Sequence, residues 1–353
     1  MDLLIGTYSQ PILFGTGKLF QGKGKGLYLC AFDGESITVR SVLPMMNPSF
    51  LAVDEDRGRI YAVNEGKEFH GAYGGGITEV RLLKDGTLRE EQSLPTQGTD
   101  PCHVAIQPGK HWVGVANYAD GSVSFFALDA QGCLSGRCEH FQHEGPEPHA
   151  HSVLFDGEGT YAYAVDLGND MLMRYDLTET GVIMNPEQSL RVAPGSGPRT
   201  GLFHDHGRHL YVIHERASAV SHFVRGPEGY IQESMISTLL PDSGCEANAC
   251  SDLHITPDGK FLYAGNRGHD SITAFALSDS GVPERIGNYA CHGKTPRNFA
   301  VSPDGKYVLI GNQDSDTIAV CRIQENGALC WIRNLDFPTP VCIRFLKDGW
   351  DRT

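Results

Sequence analysis

Six times along the chain, an apolar strand, a turn and a second apolar strand end on a polar residue where an aliphatic one would fit. The first copy opens as Pro48-Ser-Phe-Leu-Ala-Val53 and closes as Arg59-Ile-Tyr-Ala-Val-Asn64, and the others close on Asn117, Asp166, His214, Asn266 and Asn312. These closing residues are 53, 49, 48, 52 and 46 positions apart. A period near fifty built of strands and turns alone is the mark of a β-propeller with one blade per repeat.

The repeat has no linker rich in proline, serine or charge, so one domain over 1–353 is expected. Turns such as Pro257-Asp-Gly-Lys260 and Pro303-Asp-Gly-Lys306 place glycine where a tight hairpin requires positive φ. Six full copies leave strand material at both ends. Pro340–Phe345 reads as a first strand, Leu3–Tyr8 as a second, and Gly26–Phe32 and Ile37–Val42 as a third and fourth. The expected fold is therefore an all-β, seven-bladed propeller whose seventh blade is closed by strands from both termini, removing open edges.

The formal net charge of −14 argues against nucleic acid as a partner. No apolar run reaches membrane-spanning length and no basic, apolar leader opens the chain, so a cytoplasmic protein without membrane partners is expected. The ten cysteines are spread over the blades without a Cys-x-x-Cys pair and read as reduced thiols, although Cys133/Cys138 and Cys245/Cys250 are close in sequence. No metal or other cofactor is expected. A third ligand at suitable spacing is missing beside His149/His151, and His204, His206 and His209 lie on a hairpin at the opposite edge.

Antiparallel pairing brings the start of each first strand and the end of each second strand to one edge, around one mouth of the channel. His103, His151, Arg199, Ser251 and Arg297 arrive from strand starts. Asn64, Glu65, Asn117, Tyr118, Asp166, His214, Glu215, Asn266, Arg267, Asn312 and Gln313 arrive from strand ends. An Asn or Asp at a strand end also has a plain structural use, setting up the turn that follows. His151, Arg199, Glu215 and Arg267 depart from the repeat and are the candidate catalytic residues. His103, Asn117, Asp166, Asn266, Arg297 and Asn312 are candidate substrate-binding residues.

Three arginines gathered at one mouth of an acidic protein would repel one another unless an anion binds there, and planar guanidinium suits carboxylate or phosphate. The structural alternative is that Glu215 pairs with Arg199 or Arg267. His, Glu and Arg together suffice for proton transfer at an acyl centre. Lys18, Lys23 and Lys25, in the long loop between the second and third strands of the seventh blade, are further candidate cations for an anionic small molecule.

Leu4-Ile-Gly-Thr-Tyr8, Pro148-His-Ala-His-Ser152, Val165-Asp-Leu-Gly168, Gly197-Pro-Arg199, Ser251-Asp-Leu-His254, Gly265-Asn-Arg-Gly-His-Asp-Ser271, Thr295-Pro-Arg-Asn-Phe299 and Gly311-Asn-Gln-Asp-Ser-Asp316 resemble the seven-bladed lactonase family. That family includes propeller-type 6-phosphogluconolactonases and a fungal 3-carboxy-cis,cis-muconate cyclase. The resemblance spans essentially the whole chain. It implies that His151, Arg199, Glu215 and Arg267 match the active-site residues proposed for the cyclase, with Glu215 or His151 activating water and the arginines holding an anionic substrate. His214-Glu215 departs from the Asn-Glu common in relatives. The first expectation is a hydrolase opening a sugar-acid lactone, most directly 6-phosphogluconolactone, in a monomer or homodimer. A carboxymuconate-type lactonizing cycloisomerase and a non-catalytic interaction propeller stand as alternatives.

Overall fold

The computed structural model describes residues 1–14, 17–245 and 247–347. Seven four-stranded antiparallel sheets are formed. Six follow the repeat, and in the seventh Pro340–Phe345 pairs with Asp2–Thr7, which pairs with Gly26–Phe32 and then Ile37–Pro44. The register Leu3↔Phe345 and Ile5↔Ile343 joins the two ends of the chain as the terminal strands had suggested. Two short hairpins, Ile12–Leu13 with Leu19–Phe20 and Glu68–Phe69 with Ala72–Tyr73, are inserted after the second strands of blades seven and one.

Adjacent blades are pinned by one device used repeatedly. Aromatic side chains from second strands are fully buried, and a buried phenol or indole needs a hydrogen-bond partner. Tyr211 Oη donates to Gly281 O at 2.6 Å, Tyr263 Oη to Gly327 O at 2.9 Å, and Tyr61 Oη to Gly132 O, in each case in the outer turn of the next blade. Trp112 Nε1 does the same to Thr178 O at 2.7 Å. Gly327 has φ of 80°, and a Cβ there would lie 2.4 Å from the Phe261 ring, so both backbone and space demand glycine. Gly259 and Gly305, the hairpin glycines expected from sequence, have φ of 73° and 69°.

One irregularity sets up the channel. In blade two Pro101 pairs with Asn117 but His103 pairs with Ala116, so Cys102 is an extra residue, a β-bulge. The same slip occurs at His151, Arg199, Arg297 and Val341, and one extra residue lies between Cys250 and Leu253. The residue two positions before the bulge is left-handed in several blades: Asp100 (φ 51°), Gly197 (61°), Thr295 (58°) and Thr339 (40°). Its carbonyl receives the N–H of the residue following the second strand, as in Glu215 N to Gly197 O at 2.7 Å and Tyr118 N to Asp100 O at 3.0 Å. A β-branched threonine in this region is strained, and the repeated hydrogen bond holds it there.

Candidate active site

The bulge residues and the residues just past the second strands meet at one end of the channel. Cys102, His151 and Arg297 from the first group, Glu65, Tyr118, Glu215 and Gln313 from the second, and Arg267 at the last position of its strand line a wide cavity open to solvent. The repeat predicts the edge, and the bulge decides which side chain there leaves the pleat to face inward. Beneath lies a narrower space with room for little more than a water molecule, bordered by His103, Arg199, Asp252 and Asn298 and shared with Cys102, His151 and Arg297.

Glu215 is the electrostatic centre of one side. Its Oε2 lies 3.0 Å from Arg199 Nε and accepts a hydrogen bond from Arg267 Nη2. Arg199 Nη1 also donates to Ser251 O, while Arg267 donates through Nε to Ala249 O at 3.2 Å and through Nη2 to Cys250 O at 3.0 Å. Both guanidinium groups are thereby fixed. Burial works against the charge on Glu215, but Arg267 and then Arg199 outweigh it and hold the carboxyl below its usual range. Burial, with Arg267 next, lowers Arg199 to about 10, so it remains a cation at neutral pH.

His151 is held well below the usual imidazole range by burial and then by Arg199, Arg297 and Arg267. It is neutral at neutral pH. Its Nδ1 lies 3.7 Å from Cys102 Sγ, and the edge of its ring meets Tyr118. Burial raises the Cys102 thiol, which is therefore protonated and a poor nucleophile.

On the other side, Arg297 Cζ stands 5.3 Å from the Tyr8 ring centroid and 5.6 Å from that of Phe14. Its Nη2 lies 3.7 Å from Oε1 of Glu65, whose other oxygen accepts from Tyr8 Oη at 2.9 Å. Among the described residues, no protein hydrogen bond is made by the Arg297 guanidinium. Lys18 reaches the rim, whereas Lys23 pairs with Asp316 and Lys25 is outside the lining. In the loop carrying these lysines, Gly15 and Thr16 fall outside the described residues.

Two expectations are corrected. The three arginines do not face one another uncompensated, because Glu215 serves two and Glu65 faces the third; the structural pairing is realised at Glu215. Asn117, Asp166, Asn266 and Asn312 do not line the cavity. Their side chains are completely buried and occupied by turns: Asn117 Nδ2 donates to Ser122 Oγ at 3.1 Å, Asp166 Oδ1 accepts the His149 N–H at 2.9 Å, Asn266 Oδ1 accepts from Thr238 Oγ1 at 2.7 Å, and Asn312 Nδ2 donates to Cys291 O at 2.9 Å. A polar group with no access to water is costly without such partners, and here loop backbone and neighbouring hydroxyls supply them. His214 is likewise held by Ser196 and Ser221. His103 borders the deeper space instead of the mouth; its Nδ1 accepts from Val153 N at 3.3 Å, and burial lowers it to about 3.

Sequence reasoning missed Phe14 and Asp100, which line the cavity, and Tyr8, which stands behind it against Glu65 and Arg297. Asp100 immediately precedes a repeat proline, a position shared with Gly197 and Thr295 that carries no chemical signal of its own. All ten cysteines are free, and no group of three or more metal-ligating side chains occurs among the described residues. No helix among them is long and apolar enough to cross a membrane.

Residues 2–345 match the family model described as Lactonase, 7-bladed beta-propeller. The chain is 28% identical over 345 residues to a 6-phosphogluconolactonase of Bacillus subtilis (strain 168), covering 94% of this chain and 97% of the relative. It is 31% identical over 296 residues to a 6-phosphogluconolactonase of Formosa agariphila, covering 78% and 82%. The periplasmic gluconolactonase of Pseudomonas aeruginosa superimposes with a TM-score of 0.88 at 28% identity, covering 98% of this chain and 99% of that one. Ring, bulged channel and whole-length similarity agree, and the chain belongs to the seven-bladed β-propeller lactonase family.

Proposed function

We propose that this protein hydrolyses a sugar-acid δ-lactone, with 6-phosphogluconolactone or an unphosphorylated aldono- or aldarolactone as substrate. The observation that carries the reading is a neutral imidazole, His151, sharing one cavity with a carboxylate, Glu215, that anchors two arginines. The names of the relatives support the same chemistry.

In this mechanism His151 takes the proton from water as the water oxygen attacks the lactone carbonyl. Arg199 and Arg267, already fixed by backbone carbonyls and Glu215, receive the negative charge that develops on the carbonyl oxygen without having to reorganise. Glu215 keeps both guanidinium groups in place. Arg297, on its aromatic shelf without hydrogen bonds from its guanidinium to the protein, binds an anionic or hydroxyl group of the substrate. The compartment we propose is the cytoplasm, in keeping with ten free thiols.

A panel of sugar-acid lactones followed with a pH indicator, with and without chelator, tests the reading. His151→Asn is expected to lower kcat by about a hundredfold or more with little change in KM. Undiminished lactone opening by that variant would remove the imidazole from the mechanism.

A further inference from the structure

The proposed hydrolysis leaves one proton unassigned. When the acyl carbon–ring oxygen bond breaks, its electron pair passes to a sugar hydroxyl oxygen, which is a poor leaving group unless protonated. His151 and Glu215 have their tasks on one side of the cavity, and the other side holds two carboxyl groups in contrasting surroundings.

Glu65 has the Tyr8 hydroxyl on one oxygen and Arg297 beside the other, so both of its oxygens have partners. Asp100 has nothing comparable. Its side chain lines the cavity while only 9% exposed, and no hydrogen bond reaches its carboxyl among the described residues. Lys67 Nζ stands 3.9 Å away, beyond hydrogen-bonding distance, on a side chain half in solvent. The backbone of Asp100 is rigid: its N–H donates to Gly66 O at 3.0 Å, its carbonyl accepts from Tyr118, and its φ of 51° repeats the left-handed conformation of Gly197, Thr295 and Thr339 at the same position. A carboxyl held by its main chain, nine-tenths buried, aimed into a cavity and left without donors is built to carry a proton.

We propose that Asp100 is the general acid that protonates the departing ring oxygen. The assignment rests on the lactonase reading. The Asp100 proton goes to the alkoxide, Asp100 becomes a carboxylate, and the proton taken from water by His151 returns through solvent to restore both groups. Burial, and next the neighbouring Glu65, push Asp100 up to about 7; Lys67 opposes them and Asp120 adds to them. A carboxyl raised in this way is a recognised means of running acid chemistry near neutrality.

Asp100→Asn is the informative variant, because asparagine tolerates the left-handed backbone and cannot donate a carboxyl proton. Turnover of glucono-δ-lactone by the wild type should fall as pH rises through about 7, where Asp100 loses its proton. In the variant this limb should vanish and kcat should be lower by about a hundredfold, with KM nearly unchanged. An aryl lactone such as dihydrocoumarin, whose phenol leaves without prior protonation, should be opened by the variant within about threefold of the wild type, since general-acid help is then superfluous. Circular dichroism melting of the variant checks that the ring is intact. Wild-type kinetics on glucono-δ-lactone in the variant, or an equal loss on both lactones, overturns the assignment alone. A wild type inert toward every lactone overturns the lactonase reading and this assignment with it.

Discussion

Arg199 Nε lies 3.0 Å from Glu215 Oε2, and the two residues leave the blade-four repeat by different routes. Arg199 is the bulge residue of the first strand, and Glu215 is the first residue beyond the second. Their meeting makes Glu215 an anchor for the guanidinium groups. Glu215→Gln keeps the volume and removes the charge that holds Arg199 and Arg267, so turnover should fall by about a hundredfold, the typical cost of disturbing an oxyanion site. Initial rates on the best lactone measure this, and a variant with unchanged kcat would show that the arginines stay in place without the carboxylate.

Acid should destabilise the protein through buried neutral histidines. His214 and His222 are fully buried, and burial lowers both to about 4. Below the ordinary imidazole range near 6.5 the unfolded chain takes up protons that the native state refuses, so stability is present above that range and is lost as pH falls toward about 4. Each group contributes a slope of about 1.4 kcal/mol per pH unit in that window. Urea unfolding of wild type and His214→Asn at several pH values checks this: the variant should show a shallower decline, and parallel curves would refute the role of His214.

Ring closure predicts a truncation phenotype. Removing residues from Pro340 onward deletes the innermost strand of blade seven and exposes the paired edge of Asp2–Thr7. The shortened chain should lose its single cooperative melting transition and aggregate on heating. A truncated protein that melts like the full-length one would contradict closure by the two termini.

The pins between blades can be tested singly. Tyr263→Phe leaves the Gly327 carbonyl without its partner and should cost about 1 kcal/mol. Gly327→Ala should cost more, about 1–3 kcal/mol, because it adds strain at positive φ and forces the Phe261 ring to move. Denaturant midpoints of the two variants provide the comparison, and a smaller loss in Gly327→Ala than in Tyr263→Phe would count against the packing argument.

The strand repeat and the identity of the converging edge were legible because both depend on local patterns: alternation, glycine turns and spacing. Asn117, Asp166, Asn266 and Asn312 were the weak point. Their position places them at the right edge, but complete burial commits them to turns, and burial belongs to the assembled ring. Asp100 was invisible for the converse reason, since an aspartate before a proline looks like a turn residue until Glu65 and the cavity are brought beside it.

By itself, then, the sequence determined an all-β ring of seven blades, its split closing blade, and the mouth at which His151, Arg199, Glu215, Arg267 and Arg297 gather. Only the tertiary structure decided which of the edge residues face the cavity, because a one-residue bulge reverses the pleat and cannot be read from alternation. It also decided the charge partners. Arg267 meets Glu215 from the neighbouring blade, and Arg297 of blade six meets Glu65 of blade one across the closed seventh blade. Desolvation and Coulomb interaction act through space, and ring closure alone brings groups so distant in sequence to within a few ångströms of one another.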